Sequence, residues 1–158
     1  MTYVHWNTPD EILYLVRDMC GPITLDPCSN HGSRVLAEEE WHFPFQNGLL
    51  QAWDSPVVFV NPPYSRDDNA AWAQKWFHEA CRPRRHMFGL VQAAPGTAWF
   101  RLYMLACDAV CFPDSRIAFL KDGKPVKGAN FGNALFYSGP DRGRFAHHFT
   151  PLGSILYR

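Results

Sequence analysis

The sequence predicts an α/β fold: a mainly parallel sheet covered by helices on both faces, with an antiparallel edge. Two observations carry this. Between residues 9 and 112, helix-period and strand-like segments alternate, the pattern of βαβ units. From residue 109 onward strand signals dominate, which puts the antiparallel edge last. A third observation bears on function. Polar residues stand at the predicted carboxyl ends of two strands, where open α/β sheets hold ligands.

The elements follow in order. Thr8-Pro9-Asp10-Glu11 reads as a capping box with Pro at the first helical position. Ile12, Leu15, Val16 and Met19 then recur at helical spacing, so 9–20 is an amphipathic helix stopped by Gly21. Ile23-Thr24-Leu25 is a short strand ending at Asp26-Pro27, and 28–55 is less regular. Val57 to Val60 is a β-branched and aromatic run, a buried strand. Residues 68–81 form a helix with Ala73, Trp76, Phe77 and Ala80 on one face, and 87–91 form a strand. Thr97 caps a helix over 98–107. Strands are expected at 109–112, 116–120, 134–137 and 154–157, with a turn at Asp122-Gly123-Lys124-Pro125 and a loop at 128–132.

A length of 158 residues suits one domain, 1–158, with a single core, and 47% apolar residues are enough to fill it. No apolar run reaches the ~18 residues of a membrane span. Met1 to Trp6 lacks a secretory pattern, so a cytosolic protein is expected. The five cysteines show no CxxC spacing and read as reduced thiols; the seven histidines form no metal array. A formal net charge of zero argues against strong non-specific polyanion binding but leaves room for a local basic patch. Arg82-Pro83-Arg84-Arg85-His86 is the one dense basic cluster, and a solvated loop explains it as well as a binding patch does.

The most informative feature is Asn61-Pro62-Pro63-Tyr64, directly after the 57–60 strand. An Asn amide oxygen and the Pro62 carbonyl can each accept a hydrogen bond from an –NH2 group. Tyr64 can stack on the ring that carries the amine, and the prolines hold φ near −65° so that the carbonyl needs little reorganisation. Pro-Pro dipeptides also mark plain turns.

Several segments together resemble the phage DNA N-6-adenine methyltransferase family, the short Dam-type enzymes. They are Trp6-Asn7-Thr8-Pro9, Leu25-Asp26-Pro27-Cys28, Asn47-Gly48-Leu49 with Trp53, Asn61-Pro62-Pro63-Tyr64-Ser65, 72–80, Trp99-Phe100 and Ser115-Arg116-Ile117-Ala118-Phe119. The likeness runs from about residue 5 to 138. It implies a Rossmann-like class I methyltransferase fold that binds S-adenosylmethionine and acts on adenine N6 in DNA. It also implies a host-cell cytoplasmic setting if phage-encoded. A homodimer is one way for so small a chain to cover a duplex.

Carried over by this resemblance, Trp6, Thr8 and Pro9 contact the cofactor, with Thr8-Pro9 at its methionine end; a helix cap is the competing role for Thr8. Asp26-Pro27-Cys28 resembles the first cofactor motif, with Asp26 suited to the ammonium group or, alternatively, to a strand-end turn. Closely spaced glycines usually follow. Here Ser29-Asn30-His31-Gly32 stands instead, implying a wider loop or Asn30 in a left-handed turn. Glu38, Glu39 and Glu40 are candidates for the ribose, with no choice among them. Asn47, where the family often has Asp, is expected to accept from the cofactor adenine. Asn61, Pro62, Pro63 and Tyr64 form the catalytic grip, while Ser65 and Arg116 join Tyr64 on the substrate side. Neither a metal nor a covalent enzyme intermediate is required. The same grip suits RNA adenine or a protein glutamine amide, and a degenerate cofactor-binding module is the non-catalytic alternative.

Overall fold

The computed structural model describes residues 5–82, 85–126 and 130–158. The chain runs through α1 (Asp10–Cys20), β1 (Leu25–Ser29), β2 (Glu39–His42), β3 (Val57–Val60), α2 (Arg66–Ala80) and β4 (His86–Gln92). It continues through α3 (Ala98–Ala106), β5 (Ala109–Pro113), β6 (Leu120–Lys121), β7 (Lys124–Pro125), β8 (Asn133–Ser138), α4 (Arg142–Phe149) and β9 (Gly153–Tyr157).

Strand β3 shows how these elements are layered. Successive strand side chains face opposite ways. Val57 and Phe59 enter an apolar cluster with Ile12, Leu13 and Val16 of α1 and Phe145 and Phe149 of α4. Val58 and Val60 enter a second cluster with Trp72 and Trp76 of α2 and Phe100 and Tyr103 of α3. Helices therefore cover both faces, as expected. The seven-stranded sheet has the order β2-β1-β3-β4-β8-β5-β9. Strands β2, β1, β3 and β4 pair in parallel, and β8 runs against both β4 and β5. Because β5 opposes β8, it shares the direction of β4, so five of the seven strands point one way. The antiparallel edge is β9, as predicted. A reversed strand, β8, also lies inside the sheet, which the sequence reading did not foresee.

Four local expectations change. Thr8 is not the cap of α1: Pro9 occupies that position with no side-chain cap bond. Strand β1 does not end at Asp26 but runs on through Pro27 to Ser29. The ladder to β2 slips between Asp26 and Ser29, where Pro27 has no N–H to contribute. Of the 116–120 strand only Leu120 pairs in a ladder. Ile117 and Phe119 are buried on alternate positions, which produces the strand signal, but the backbone is not assigned to a strand before Leu120, although the Phe119 carbonyl accepts from Val126 N at 2.8 Å. On α2 the buried face is Trp72, Ala73, Trp76 and Glu79, while Phe77 faces outward. Three elements were missed, among them β7, whose Lys124 and Pro125 were expected in a turn. β2 buries only Trp41 and shows no alternation. α4 is capped by Asp141, which accepts from Arg144 N at 2.9 Å, and its Phe145–Phe149 spacing of four was a legible signal. Residues 1–4, Pro83 and Arg84 of the basic run, and 128–129 of the expected loop lie outside the described residues.

Candidate active site

Strands β1, β2 and β3 point the same way, so the segments leaving their carboxyl ends gather on one side of the sheet. Between them lies a cavity of about 670 Å³. Its walls are 27–32 at the carboxyl end of β1 and just beyond it, residues of 42–49 from the last residue of β2 onward, and Asn61, Pro62, Pro63 and Tyr64 after β3. Trp6 and Asn7 close one side, with Lys121 and Asp122 from the tip of the β6–β7 hairpin. That hairpin is tied to the amino-terminal segment by a pair of backbone bonds between Asn7 and Leu120, at 3.0 and 2.8 Å.

Asn61 is the best-anchored polar group in the cavity wall. Its Nδ2 donates to the Trp6 carbonyl at 2.6 Å and to Thr8 Oγ1 at 3.1 Å. Its Oδ1 accepts from the Tyr64 hydroxyl at 2.9 Å. That hydroxyl also lies 3.1 Å from the Leu90 carbonyl. The Tyr64 ring meets Phe119 and Phe131 edge to face at 6.1 and 5.6 Å, and Trp6 packs edge-on against the same two rings. Burial pushes the Tyr64 hydroxyl well above its ordinary pKa, so it stays a donor.

The β1 segment is shaped by short polar bonds instead of glycines. Asp26 is buried behind the wall and is not among the residues lining the cavity. Its Oδ1 accepts from Cys28 N at 3.1 Å and its Oδ2 from Ser33 Oγ at 3.4 Å. Burial pushes its carboxyl up to about 7; the Cys28 N–H pulls the other way, and the charge of Glu40 on the neighbouring strand adds to the rise. Cys28 lines the cavity, and burial raises its thiol well above the usual range. Ser29 is 7% exposed, and its Oγ, though near Asp26, makes no bond of hydrogen-bond geometry. Asn30 Oδ1 accepts from Gly32 N at 2.9 Å, and Asn30 Nδ2 donates to Asn7 Oδ1 at 2.8 Å. Asn30 is not left-handed; among the described non-glycine residues only Leu36 and Asp122 have positive φ.

The β2 segment leans on the β1 segment. A Cβ at Gly48 would stand 2.1 Å from the Pro27 carbonyl oxygen, so only glycine lets the two backbones approach this closely. Asn47 Oδ1 accepts from Leu49 N at 3.0 Å, and its second lone pair and the amide nitrogen are both left to offer a ligand. Phe43 and Phe45 line the cavity yet are 69% and 89% exposed, forming a rim that the sequence reading missed. His31 and His42, with ring centres 5.2 Å apart, were also missed. Of the three glutamates, Glu39 accepts from Trp41 Nε1 at 2.6 Å, whereas Glu40 keeps a buried Oε1 without a partner.

Of the expected site residues, Trp6, Pro27, Cys28, Asn47 and the four residues 61–64 therefore meet in one cavity. Thr8, Pro9, Asp26, Ser65 and Arg116 do not line it. Thr8 reaches the site through Asn61, and Ser65 caps α2 by accepting from Asp68 N at 3.1 Å.

Comparison with known proteins identifies the family. The family model for DNA N-6-adenine-methyltransferase (Dam) matches residues 3–146. The DNA N-6-adenine-methyltransferase of Escherichia phage T1 is 27% identical over 149 residues, covering 83% of this chain and 60% of the relative. This chain thus spans less than two thirds of that relative's length. With a family match across nearly its whole length, the chain belongs to the DNA N-6-adenine-methyltransferase (Dam) family.

Proposed function

We propose that this protein transfers a methyl group from S-adenosylmethionine to the exocyclic amine of adenine in DNA. The observation that carries the reading is that Asn61, Pro62, Pro63 and Tyr64 share one cavity with the 27–32 and 42–49 segments. An amine grip and a second ligand site thus open into the same space. Helices on both sheet faces, and three parallel strand ends at the cavity, support a Rossmann-like class I methyltransferase fold as the finer architectural reading.

The residues present fit the cofactor. A cavity of about 670 Å³ lies within the usual range for small-molecule sites. Ser29 Oγ is a buried polar atom still in need of a partner, and the Asn47 amide nitrogen is a donor suited to a ring nitrogen of the cofactor adenine. Phe43 lines the same part of the cavity, whereas Glu38, Glu39 and Glu40 do not line it, so none of the three is assigned to the ribose. When bound, S-adenosylmethionine supplies an electrophilic methyl carbon on a sulfonium.

The chain's own task is then to position and activate the amine. Adenine N6 is a weak nucleophile because its lone pair is delocalised into the ring. Asn61 Oδ1 and the Pro62 carbonyl accept hydrogen bonds from its two N–H groups and localise that pair, and one of those protons passes to solvent once the amine carries the methyl. Positive charge grows on the amine during attack, so these acceptors stabilise the transition state more than the ground state. The Tyr64 ring stacks on a base turned out of the duplex, a contact worth about 1–3 kcal/mol. Lys121, at the cavity mouth, supplies a cation for the strand that carries the base.

The test is incubation of the purified protein with methyl-labelled S-adenosylmethionine and unmodified DNA, followed by nucleoside analysis. Labelled N6-methyldeoxyadenosine is the expected product. Label only in RNA or on peptide glutamine would move the reading to those substrates, and cofactor binding without transfer to any of the three would leave a binding module.

A further inference from the structure

We infer that Thr8 and the Trp6 carbonyl act as positioning groups that fix which way round the Asn61 amide sits, and that this site is built for an amide and against a carboxylate. The inference deepens the proposed amine-methylating function and rests on it.

A side-chain amide has two faces of opposite polarity, and only its oxygen can accept an amine proton. A carbonyl oxygen can only accept. The atom of Asn61 that lies 2.6 Å from the Trp6 carbonyl must therefore be the nitrogen. The flipped amide would bring two acceptors together at that distance. Thr8 Oγ1, in a residue 2% exposed, accepts from the same nitrogen at 3.1 Å; a hydroxyl can pair with either amide atom, so Thr8 holds the amide plane in place while the Trp6 carbonyl sets its sense. The Asn61 oxygen is thereby turned to the side occupied by Tyr64.

In the structure the Tyr64 hydroxyl donates to that oxygen at 2.9 Å, but it has a second acceptor in the Leu90 carbonyl at 3.1 Å. An arriving amine can take over Asn61 Oδ1 without leaving a buried hydroxyl unpaired. Neither Thr8 nor the Trp6 carbonyl needs to touch the substrate. Both act on it through Asn61. The same geometry separates Asn from Asp at position 61. A carboxylate has no donor for the Trp6 carbonyl, so its near oxygen would be repelled from the position the amide nitrogen holds.

The experiment compares Thr8→Val, Thr8→Ser and Asn61→Asp, measuring cofactor Kd and methyl-transfer kcat separately. Thr8→Val is expected to lower kcat about tenfold, the equivalent of one hydrogen bond, with cofactor Kd changed less than twofold; Thr8→Ser should restore wild-type kcat. Asn61→Asp should lose about a hundredfold in kcat at neutral pH despite keeping an acceptor oxygen. A Thr8→Val that weakens cofactor binding with kcat intact would overturn the inference and make Thr8 a cofactor ligand. Wild-type turnover by Asn61→Asp would overturn it as well. If the wild-type protein methylates no substrate, the proposed function fails, and the amide orientation is judged by NMR alone. The Asn61 side-chain NH2 protons should then exchange slowly in the wild type and faster in Thr8→Val, and equal rates would refute the orientation.

Discussion

At the scale of single residues, the cavity separates groups that meet the ligand from groups that hold those groups in place. In the proposed function Asn61 is of the first kind. Replacing it with Ala should reduce methyl transfer by about 10²–10³-fold, the usual loss for one preorganised transition-state partner, with cofactor Kd little changed. A labelled-methyl assay beside calorimetric binding separates the two effects, and full activity would remove Asn61 from the chemistry. Tyr64→Phe should be mild, because the ring keeps its contacts with Phe119 and Phe131 while Asn61 Oδ1 loses only a resting partner. Tyr64→Ala should weaken DNA binding by the stacking increment of about 1–3 kcal/mol; equal damage from Phe and Ala would point to the hydroxyl instead. Asp26 is of the second kind. Its folded pKa, about 7, stands above the ordinary carboxylate value. Between about pH 4 and pH 7 the folded state therefore binds a proton that the unfolded state has released. Asp26 thus lowers stability progressively as pH rises through that window. Asp26→Asn keeps an acceptor for Cys28 N and carries no charge. Its melting temperature should be flatter than wild type from pH 5 to 7 and at least as high at pH 8. Cofactor binding should persist, since Asp26 lies behind the cavity wall; its collapse would restore Asp26 as the ammonium ligand.

At the scale of elements, the site depends on how closely two loops approach each other. The turn after β2 lies against the Pro27 carbonyl, and Gly48 is what allows it. Gly48→Ala would force the 42–49 and 27–32 segments apart. Cofactor Kd should rise at least tenfold, with far-UV circular dichroism unchanged because the helices and the strands β3, β4, β8 and β5 at the centre of the sheet keep their packing. An unchanged Kd would mean that the two loops do not share a ligand. This contact also shows what could be read from the sequence and what could not. The strand 57–60 and the position of Asn61 to Tyr64 at its carboxyl end, in the cavity wall, were legible because four buried apolar residues followed by Asn-Pro-Pro-Tyr form a local signal. Asn47-Gly48-Leu49 drew attention to Asn47, yet the constraint falls on Gly48 through a carbonyl 21 residues earlier, a distance no local pattern reports. Thr8 misled for the same reason. Its spacing to Glu11 fits a capping box, but its hydroxyl is taken by Asn61, 53 residues away. Phe43, Phe45, His31 and His42 come from irregular segments whose path only the folded chain defines.

At the scale of the whole molecule, ligand chemistry and anchoring sit at opposite ends of the sheet. The cavity lies beyond the carboxyl ends of β1, β2 and β3. At the other end, where α2 turns into β4, the fully buried Glu79 holds three cations. Its Oε1 meets Lys75 Nζ at 2.7 Å, and its Oε2 meets Arg85 and Arg82 at 3.1 and 3.3 Å. Asp54 bridges the same two arginines from the surface at 2.8 and 2.7 Å. Burial alone would raise the Glu79 pKa, but the bonds and charges of Lys75 and Arg82 outweigh it and hold the carboxyl below its ordinary value. A depressed carboxylate pKa contributes stability that is present above the unfolded value and is lost as pH falls through the folded one. Glu79→Gln leaves Lys75 without its carboxylate partner and Arg85 with only the surface Asp54, and should cost about 2 kcal/mol. The same change should remove the part of the wild-type acid transition that begins below the ordinary carboxylate range. Because the network is remote from the cavity, kcat and cofactor Kd of Glu79→Gln should match the wild type at temperatures where both remain folded. Urea melts at pH 7 and pH 3.5, with kinetics at 20 °C, test both halves. A variant as stable as wild type would show that the cluster is electrostatically neutral to folding, and a changed kcat would show that the two ends of the sheet are coupled.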